Sequence, residues 1–301
     1  MLPYDITLYT LTHRGNPGDI QFYLRACRGA KSILELGCGY GRILTQLLLA
    51  GHSVTGMDLD PRMLQVAIRT LQEQGLLQTS QQVSFSEHRL IPLSDSLHLI
   101  QGDFRDFSLS QSFERILLPF NTLYCMLTQE DTEKAFQNVY KHLKPGGRFC
   151  FDIYAVDERD LEEYINDEPD FITTIYEQNR QIFVFEKRVW HQDTQRLDAT
   201  YYYHTHEKPD SPAHNREPAQ HSSQELETEI TYQEGYSSEA SKVEMYRIPQ
   251  RYLLLEQVKE LLTKTGFILE HLYGDFDEEP FDLDHSPSMI FIAQKPHSAK
   301  G

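Results

Sequence analysis

Long apolar runs are missing from this chain of 301 residues. No stretch reaches the roughly 20 apolar residues that cross a bilayer as a helix. The opening Met1-Leu2-Pro3-Tyr4-Asp5 lacks a signal-peptide pattern, so a cytoplasmic protein without a membrane partner is expected. Paired cysteines are lacking too. Cys27, Cys38, Cys125 and Cys150 have neither disulfide-framework nor metal-ligand spacing and read as reduced thiols. An excess of positive charge is also absent: 28 Lys and Arg stand against 45 Asp and Glu, a net charge of −17. Residues 1–150 balance at 14 of each sign, while residues 151–301 hold 14 basic against 31 acidic, so the whole excess lies in the second half. That surface repels phosphate backbones and argues against a nucleic-acid partner. It would suit a cationic amine, although solubility alone accounts for it. Internal repeats are absent, and the length allows one large domain or a domain with a cap.

What is present is concentrated in residues 31–43, Lys-Ser-Ile-Leu-Glu-Leu-Gly-Cys-Gly-Tyr-Gly-Arg-Ile. Ser32 to Leu36 reads as a short buried strand, Gly37 to Gly41 as a tight glycine turn, and Ile43 to Leu49 as an apolar helix. That order aims backbone N–H groups at a ligand from the carboxyl edge of a parallel sheet. The glycines fall as G-x-G-x-G, with Arg42 where a dinucleotide fingerprint would carry its third glycine, which disfavours a nicotinamide-dependent oxidoreductase. Glu35 stands two residues before Gly37. This stretch resembles motif I of the class I S-adenosylmethionine-dependent methyltransferases. The resemblance implies that Glu35, Gly37, Cys38, Gly39 and Gly41 surround the methionine part and ribose of S-adenosyl-L-methionine.

Further positions fall in order behind motif I. Ser53 to Asp58 alternates as a strand ending on Asp58, 17 residues after Gly41, where a carboxylate can accept both ribose hydroxyls, with Leu59 beside it. Asp60 before Pro61 reads as a helix N-cap for a helix to Glu73. Val83 to Ser86 is either an extra strand or a loop. Leu97 to Gln101 is a strand, and Asp103 with Phe104 matches the adenine-contacting place of the family, with Asp106 as competitor. Arg115 to Leu118 runs into Pro119-Phe120-Asn121, the motif IV position, where Pro119 would face the cofactor. Enzymes that methylate nucleic-acid bases commonly carry Asn/Asp-Pro-Pro-Tyr/Phe there, and this chain does not. Thr128 with Asp131 imitates a capping box; Lys141, His142 and Lys144 suit the far end of that helix, and Pro145-Gly146-Gly147 stops it before a strand from Arg148 to Tyr154. In the early segment, the resemblance points to Tyr4 or Tyr9 folding over the cofactor.

An acidic helix is expected from about Val156 to Ile165. Composition then changes. Over residues 170–248, Phe171–Tyr176, Gln181–Trp190, Leu197–His204, Leu226–Tyr232 and Val243–Ile248 alternate and are rich in aromatic and β-branched residues, which predicts an antiparallel sheet with a turn at Gln192 to Gln195. Residues 205–224 are polar and are expected to be mobile. His204, His206, His214 and His221 lack metal-site spacing, and no metal is expected. Arg251 to Thr265 reads as a helix closed by Gly266, followed by strands over Phe267 to Tyr273 and Ser288 to Gln294.

The expectation is an α/β, Rossmann-like seven-stranded methyltransferase sheet with an inserted antiparallel β cap. Residues 1–169 and 249–301 form the cofactor part and residues 170–248 the cap. The implied activity is methyl transfer to a small molecule, foremost an amine or amino sugar nitrogen. The alternatives are a natural-product hydroxyl or binding of the cofactor without catalysis. Asn121, Tyr124, Trp190, Tyr201, Tyr203 and Tyr246 are candidates for the substrate pocket, each able instead to be packing or, for Asn121, a turn. No side chain stands out as a catalytic base. A monomer or homodimer fits.

Overall fold

The computed structural model describes residues 4–78, 83–159, 168–177, 179–207 and 242–297. In chain order the strands are β1 (Ile33–Leu36), β2 (Val54–Asp58), β3 (Leu90–Ser94), β4 (Leu97–Gln101), β5 (Phe113–Leu118), β6 (Leu143–Tyr154), β7 (Asp170–Tyr176), β8 (Arg180–His191), β9 (Arg196–Glu207), β10 (Lys242–Ile248), β11 (Ile268–Tyr273) and β12 (Ser288–Gln294). The described α-helices are α1 (Ile6–Thr12), α2 (Asp19–Ala26), α3 (Arg42–Leu49), α4 (Pro61–Glu73), α5 (Gln129–His142) and α6 (Leu255–Thr265).

Eight strands make the main sheet, in the order β11-β12-β6-β5-β1-β2-β4-β3. From β4 through β2, β1 and β5 to β6 all pairings are parallel, while β12 runs antiparallel to both β6 and β11. These are the expected seven strands with one addition. Val83 to Ser86 is not a strand; β3 folds back on β4 instead, and Pro92 is tolerated because β3 lies at the sheet edge. After β4 the chain crosses to the other side of β1, so the order reverses between β1 and β5. Ligands bind at such a switch, outside the carboxyl ends of the strands.

Apolar residues cover both faces. Ile43, Leu44 and Leu47 of α3 pack with Leu64 and Ile68 of α4 against Leu99 and Leu117. On the other face Phe136 and Val139 of α5 join Val258 and Leu262 of α6 over Phe149, Phe151 and Phe291. The second sheet, β10-β9-β8-β7, is wholly antiparallel and turns its Ile175, Ile182, Val184 and Tyr203 onto Leu8 of α1. The expected turn after β8 is one 3-10 turn closed by Gln195 at φ +52°.

Several local expectations change. Residues 205–207 belong to β9 and are not loop; the remainder of 205–224, the Leu226–Tyr232 strand and His214 and His221 lie outside the described residues. Val156 to Arg159 is not helical, and residues 160–165 are likewise outside. Helix α6 starts at Leu255, because Arg251 and Tyr252 spend their N–H groups on the carbonyls of Tyr124 and Gln195. Pro145 to Gly147 does not precede the strand but sits inside β6, where its register with β5 slips. Thr128 caps α5 by accepting from the Asp131 N–H at 3.1 Å, yet the Asp131 carboxylate turns to Arg105 instead of completing a box. His142 is not a charged dipole partner. It is buried, stacked on Phe107 at 4.2 Å, and its Nε2 accepts from the Leu109 N–H, while Lys295 Nζ serves the end of α5 by donating to the Tyr140 and Leu143 carbonyls.

Candidate active site

The carboxyl edge of the sheet is built from two turns that local sequence bends sharply. After β1 come Gly37, Gly39 and Gly41 at φ +64°, +53° and +83°, the left-handed region that a side chain resists. A Cβ at Gly37 would stand 2.5 Å from Thr122 Cγ2, whereas a Cβ at Gly39 would meet nothing within 4 Å and would project into open space. Asp58, at the end of β2, pins this turn: its Oδ2 accepts from the Gly39 N–H at 2.8 Å and its Oδ1 from the Asp60 N–H at 2.9 Å. Burial raises the Asp58 carboxyl to about 6 against those bonds.

The second turn follows β5. Phe120 and Asn121 both take φ +57°, which is costly for a phenylalanine. Buried Asp152 of β6 holds them: its Oδ1 accepts from the Phe120 N–H at 2.9 Å and from the Tyr23 hydroxyl at 2.5 Å, while its carbonyl takes the Asn121 N–H. The Asn121 side chain accepts from the Tyr154 N–H at 2.6 Å, so it shapes the turn as well as facing the space beyond it.

Between these turns and the second sheet lies a cavity of about 640 Å³. Tyr9, Glu35, Gly37, Cys38, Gly39 and Pro119 reach its wall, as do Asn121, Tyr124 and Tyr201. Glu35 is buried with Oε2 unpartnered among the described residues, and desolvation lifts its carboxyl to about 8 although Arg42 opposes the shift. A buried acid oxygen without a donor, beside a glycine turn with open space before it, fits a ligand that brings a cationic amino group. Burial also raises the Cys38 thiol, which is inert at neutral pH. Tyr4 stacks on Tyr9 at 4.6 Å and lies over the Arg62 guanidinium.

Sequence reasoning missed several groups on this wall. His13 follows α1 and has rings on three sides: Tyr9 at 4.3 Å, Tyr201 at 4.9 Å and Phe120 at 6.2 Å. Its Nε2 is buried without a partner among the described residues, and desolvation lowers the imidazole to about 4. From the second sheet, the Glu186 carboxylate accepts from the Tyr201 hydroxyl at 2.8 Å and pairs with Arg188 at 2.7 Å. Arg42 reaches back to buried Asp19 through two bonds of 2.7 and 2.6 Å and lies over the Phe120 ring. An isolated histidine or arginine in sequence carries no mark of these neighbours.

Other expected residues sit off the cavity wall. Gly41 caps α3 and stands close to Ala67 of α4. Leu59 is 54% exposed beside Asp58, and Phe104 packs on the core below. Asp103 is held by the Arg105 fork, which outweighs burial and keeps its carboxyl below the usual range. Three substrate-pocket candidates do not reach the cavity wall: the Trp190 indole donates to the Tyr252 hydroxyl, the Tyr203 hydroxyl meets that of Thr12 on α1, and Tyr246 sets its ring edge-on to Tyr203. His204 and His206 set their rings edge-on to Phe185 and Phe183.

Residues 33–147 match a family model described as a methyltransferase domain. A Geobacillus sp. (strain WCH70) protein with a methyltransferase name is 22% identical over 269 residues, 89% of this chain and 86% of that one. The dTDP-4-amino-2,3,4,6-tetradeoxy-D-glucose N,N-dimethyltransferase of Saccharopolyspora spinosa is 30% identical over 118 residues, 39% of this chain and 38% of its own. In fold, the amino pentose methyltransferase of calicheamicin biosynthesis from Micromonospora echinaspora, solved with S-adenosylmethionine, aligns over 98% of both chains with a TM-score of 0.61 and 16% identity.

Proposed function

We propose that this class I S-adenosylmethionine-dependent methyltransferase carries its methyl group to the nitrogen of a small amine or amino sugar. The observation that carries the reading is the single cavity shared by the glycine turn and the second sheet, with Glu35 and Glu186 both on its wall. The partial match to an amino-sugar N,N-dimethyltransferase supports the acceptor class. In this reading residues 170–248 are an inserted cap, and residues 1–169 and 249–301 the cofactor-binding part.

The roles follow from chemistry. Tyr9, Gly37, Cys38, Gly39 and Pro119 would enclose the methionine end, and Glu35 would face its amino group. Asp58 retains lone pairs for two ribose hydroxyls beyond the two N–H bonds it already accepts. Leu59 and Phe104 would line the adenine, with Asp103 accepting from its amine. When bound, the cofactor supplies an electrophilic sulfonium methyl, and the chain's own work is to orient the acceptor and exclude water. His13, neutral because it is desolvated, would accept a hydrogen bond from the acceptor N–H and aim the nitrogen lone pair. Glu186 would stabilise the positive charge that develops on that nitrogen. The same neutral imidazole favours a second reading, methylation of a hydroxyl, since it could take the proton.

The test is calorimetric titration with S-adenosylmethionine and its demethylated product, on wild type and Asp58→Ala, followed by a panel of amines, amino sugars and phenols scored for methylated product. Wild type is expected to bind both cofactor forms, with affinity falling about 30-fold or more in the variant. Absence of binding by wild type sinks the reading at its root; binding with no product from any acceptor favours a non-catalytic binder.

A further inference from the structure

A second hollow, of about 190 Å³, shares no lining residue with the active-site cavity. Four arginines face it, Arg25, Arg28, Arg115 and Arg148, with Phe22 and Tyr273 among its apolar walls. Two of them are neighbours by construction: Arg115 of β5 is the register partner of Arg148 of β6, so their side chains leave the same face of the sheet side by side. Like charges in that position repel.

The local counter-charge is incomplete. Arg148 pairs with Glu270 at 2.5 Å and Arg25 with Glu278 at 2.6 Å. Arg115 donates to the carbonyls of Ala26 and Glu114, at 2.9 and 2.8 Å. Its bond to Ala26 closes the end of α2, and it has no carboxylate partner among the described residues. The Arg28 side chain has no hydrogen-bond or ion-pair partner among the described residues. Among the described residues four guanidinium groups therefore meet two carboxylates, in a chain whose net charge is −17. An acidic protein gathers positive charge in one hollow at a cost in repulsion, and an anion seated there removes that cost.

We propose that this hollow, formed by Arg28, Arg115 and Arg148 between α2 and the sheet, binds a phosphate-type oxyanion. Guanidinium groups offer paired N–H donors that match the oxygens of a tetrahedral anion better than a spherical halide. Phe22 and Tyr273 limit water on one side and strengthen the charge interactions. The proposal does not depend on the methyl-transfer reading.

The experiment follows thermal unfolding and calorimetric titration of the full chain with inorganic phosphate, ionic strength being held constant with sodium chloride. Wild type, Arg28→Ala and Arg148→Gln are compared, with sulfate and acetate as parallel ligands. The expected result is a saturable rise of about 3 °C in wild-type Tm with phosphate and with sulfate but not with acetate. Each variant should bind phosphate about tenfold or more weakly while keeping wild-type affinity for S-adenosylmethionine. Arg28→Ala removes an exposed side chain and tests the site even if Arg148→Gln folds poorly. A phosphate response no larger than that to chloride, an equal response to acetate, or wild-type phosphate affinity in Arg28→Ala would overturn it.

Discussion

Glu35 and His13 are buried groups that face the cavity in their uncharged forms, for opposite reasons. The Glu35 carboxyl rises from 4.5 to about 8 because burial penalises its charge. The folded chain therefore holds this proton more tightly than the unfolded chain, and stability declines as pH rises from about 4.5 through 8. Glu35→Gln is expected to stabilise the protein without ligand by about 1 to 3 kcal/mol at pH 8.5, with the gain vanishing by pH 5, read from Tm at both values. Binding of a cofactor with a cationic amino group should expel the proton, so calorimetry at pH 7 in buffers of differing ionisation enthalpy should record proton release. Uptake would contradict the orientation proposed. The His13 imidazole falls from 6.5 to about 4, so acidification through that window costs stability while the ring stays neutral above it. His13→Phe keeps the ring contacts and removes Nε2. Turnover of the acceptor found by screening should drop about 100-fold, with cofactor affinity within about threefold. Equal losses in both would reduce His13 to packing.

At the scale of elements, the turn after β5 carries the most strain. Two consecutive residues at positive φ are held by one buried aspartate that serves the Phe120 N–H and the Tyr23 hydroxyl together. Asp152→Ala should cost about 3 kcal/mol by leaving those donors unpaired, measured by urea unfolding, and should lower turnover more than Tyr23→Phe does. Pro119-Phe120-Asn121 is legible in sequence as a turn. That Phe120 takes the left-handed region is not, because its local preference opposes it and its support comes from Asp152 and from Tyr23 of α2. Helix starts behave alike. Asp60 accepts from the Arg62 N–H at 2.9 Å, a contact two residues long that the sequence states outright. The start of α6 depends on Tyr124 and Gln195, which are far away along the chain.

For the whole molecule, the decisive arrangement is a second sheet laid across α1 and the carboxyl edge of the first. Its Glu186 and Tyr201 reach a cavity whose floor comes from Glu35 of β1 and the turns after β1 and β5. Glu186→Ala is expected to abolish most acceptor turnover while cofactor affinity changes less than about threefold, measured by product formation and calorimetry. A parallel loss of cofactor affinity would place Glu186 at the other end of the cavity.

The sequence by itself determined what local physics can encode. Alternation and short apolar runs marked the strands, the spacing of the glycines marked the turn after β1, and Asp58 was read at the end of β2 with Asp103 just beyond β4. Tertiary structure alone decided which side chains share the cavity. His13, Arg42, Glu186 and Arg188 come from segments brought together by strand order and by docking of the second sheet, with Asp19 holding Arg42 and Asp152 holding the Phe120 turn. Trp190, Tyr203 and Tyr246, aromatic like Tyr201, make contacts away from the cavity wall. The reason is place along one face: Trp190, Tyr201, Tyr203 and Tyr246 share a face of the second sheet by register, and only the docking of that sheet on α1 fixes which part of the face meets the cavity.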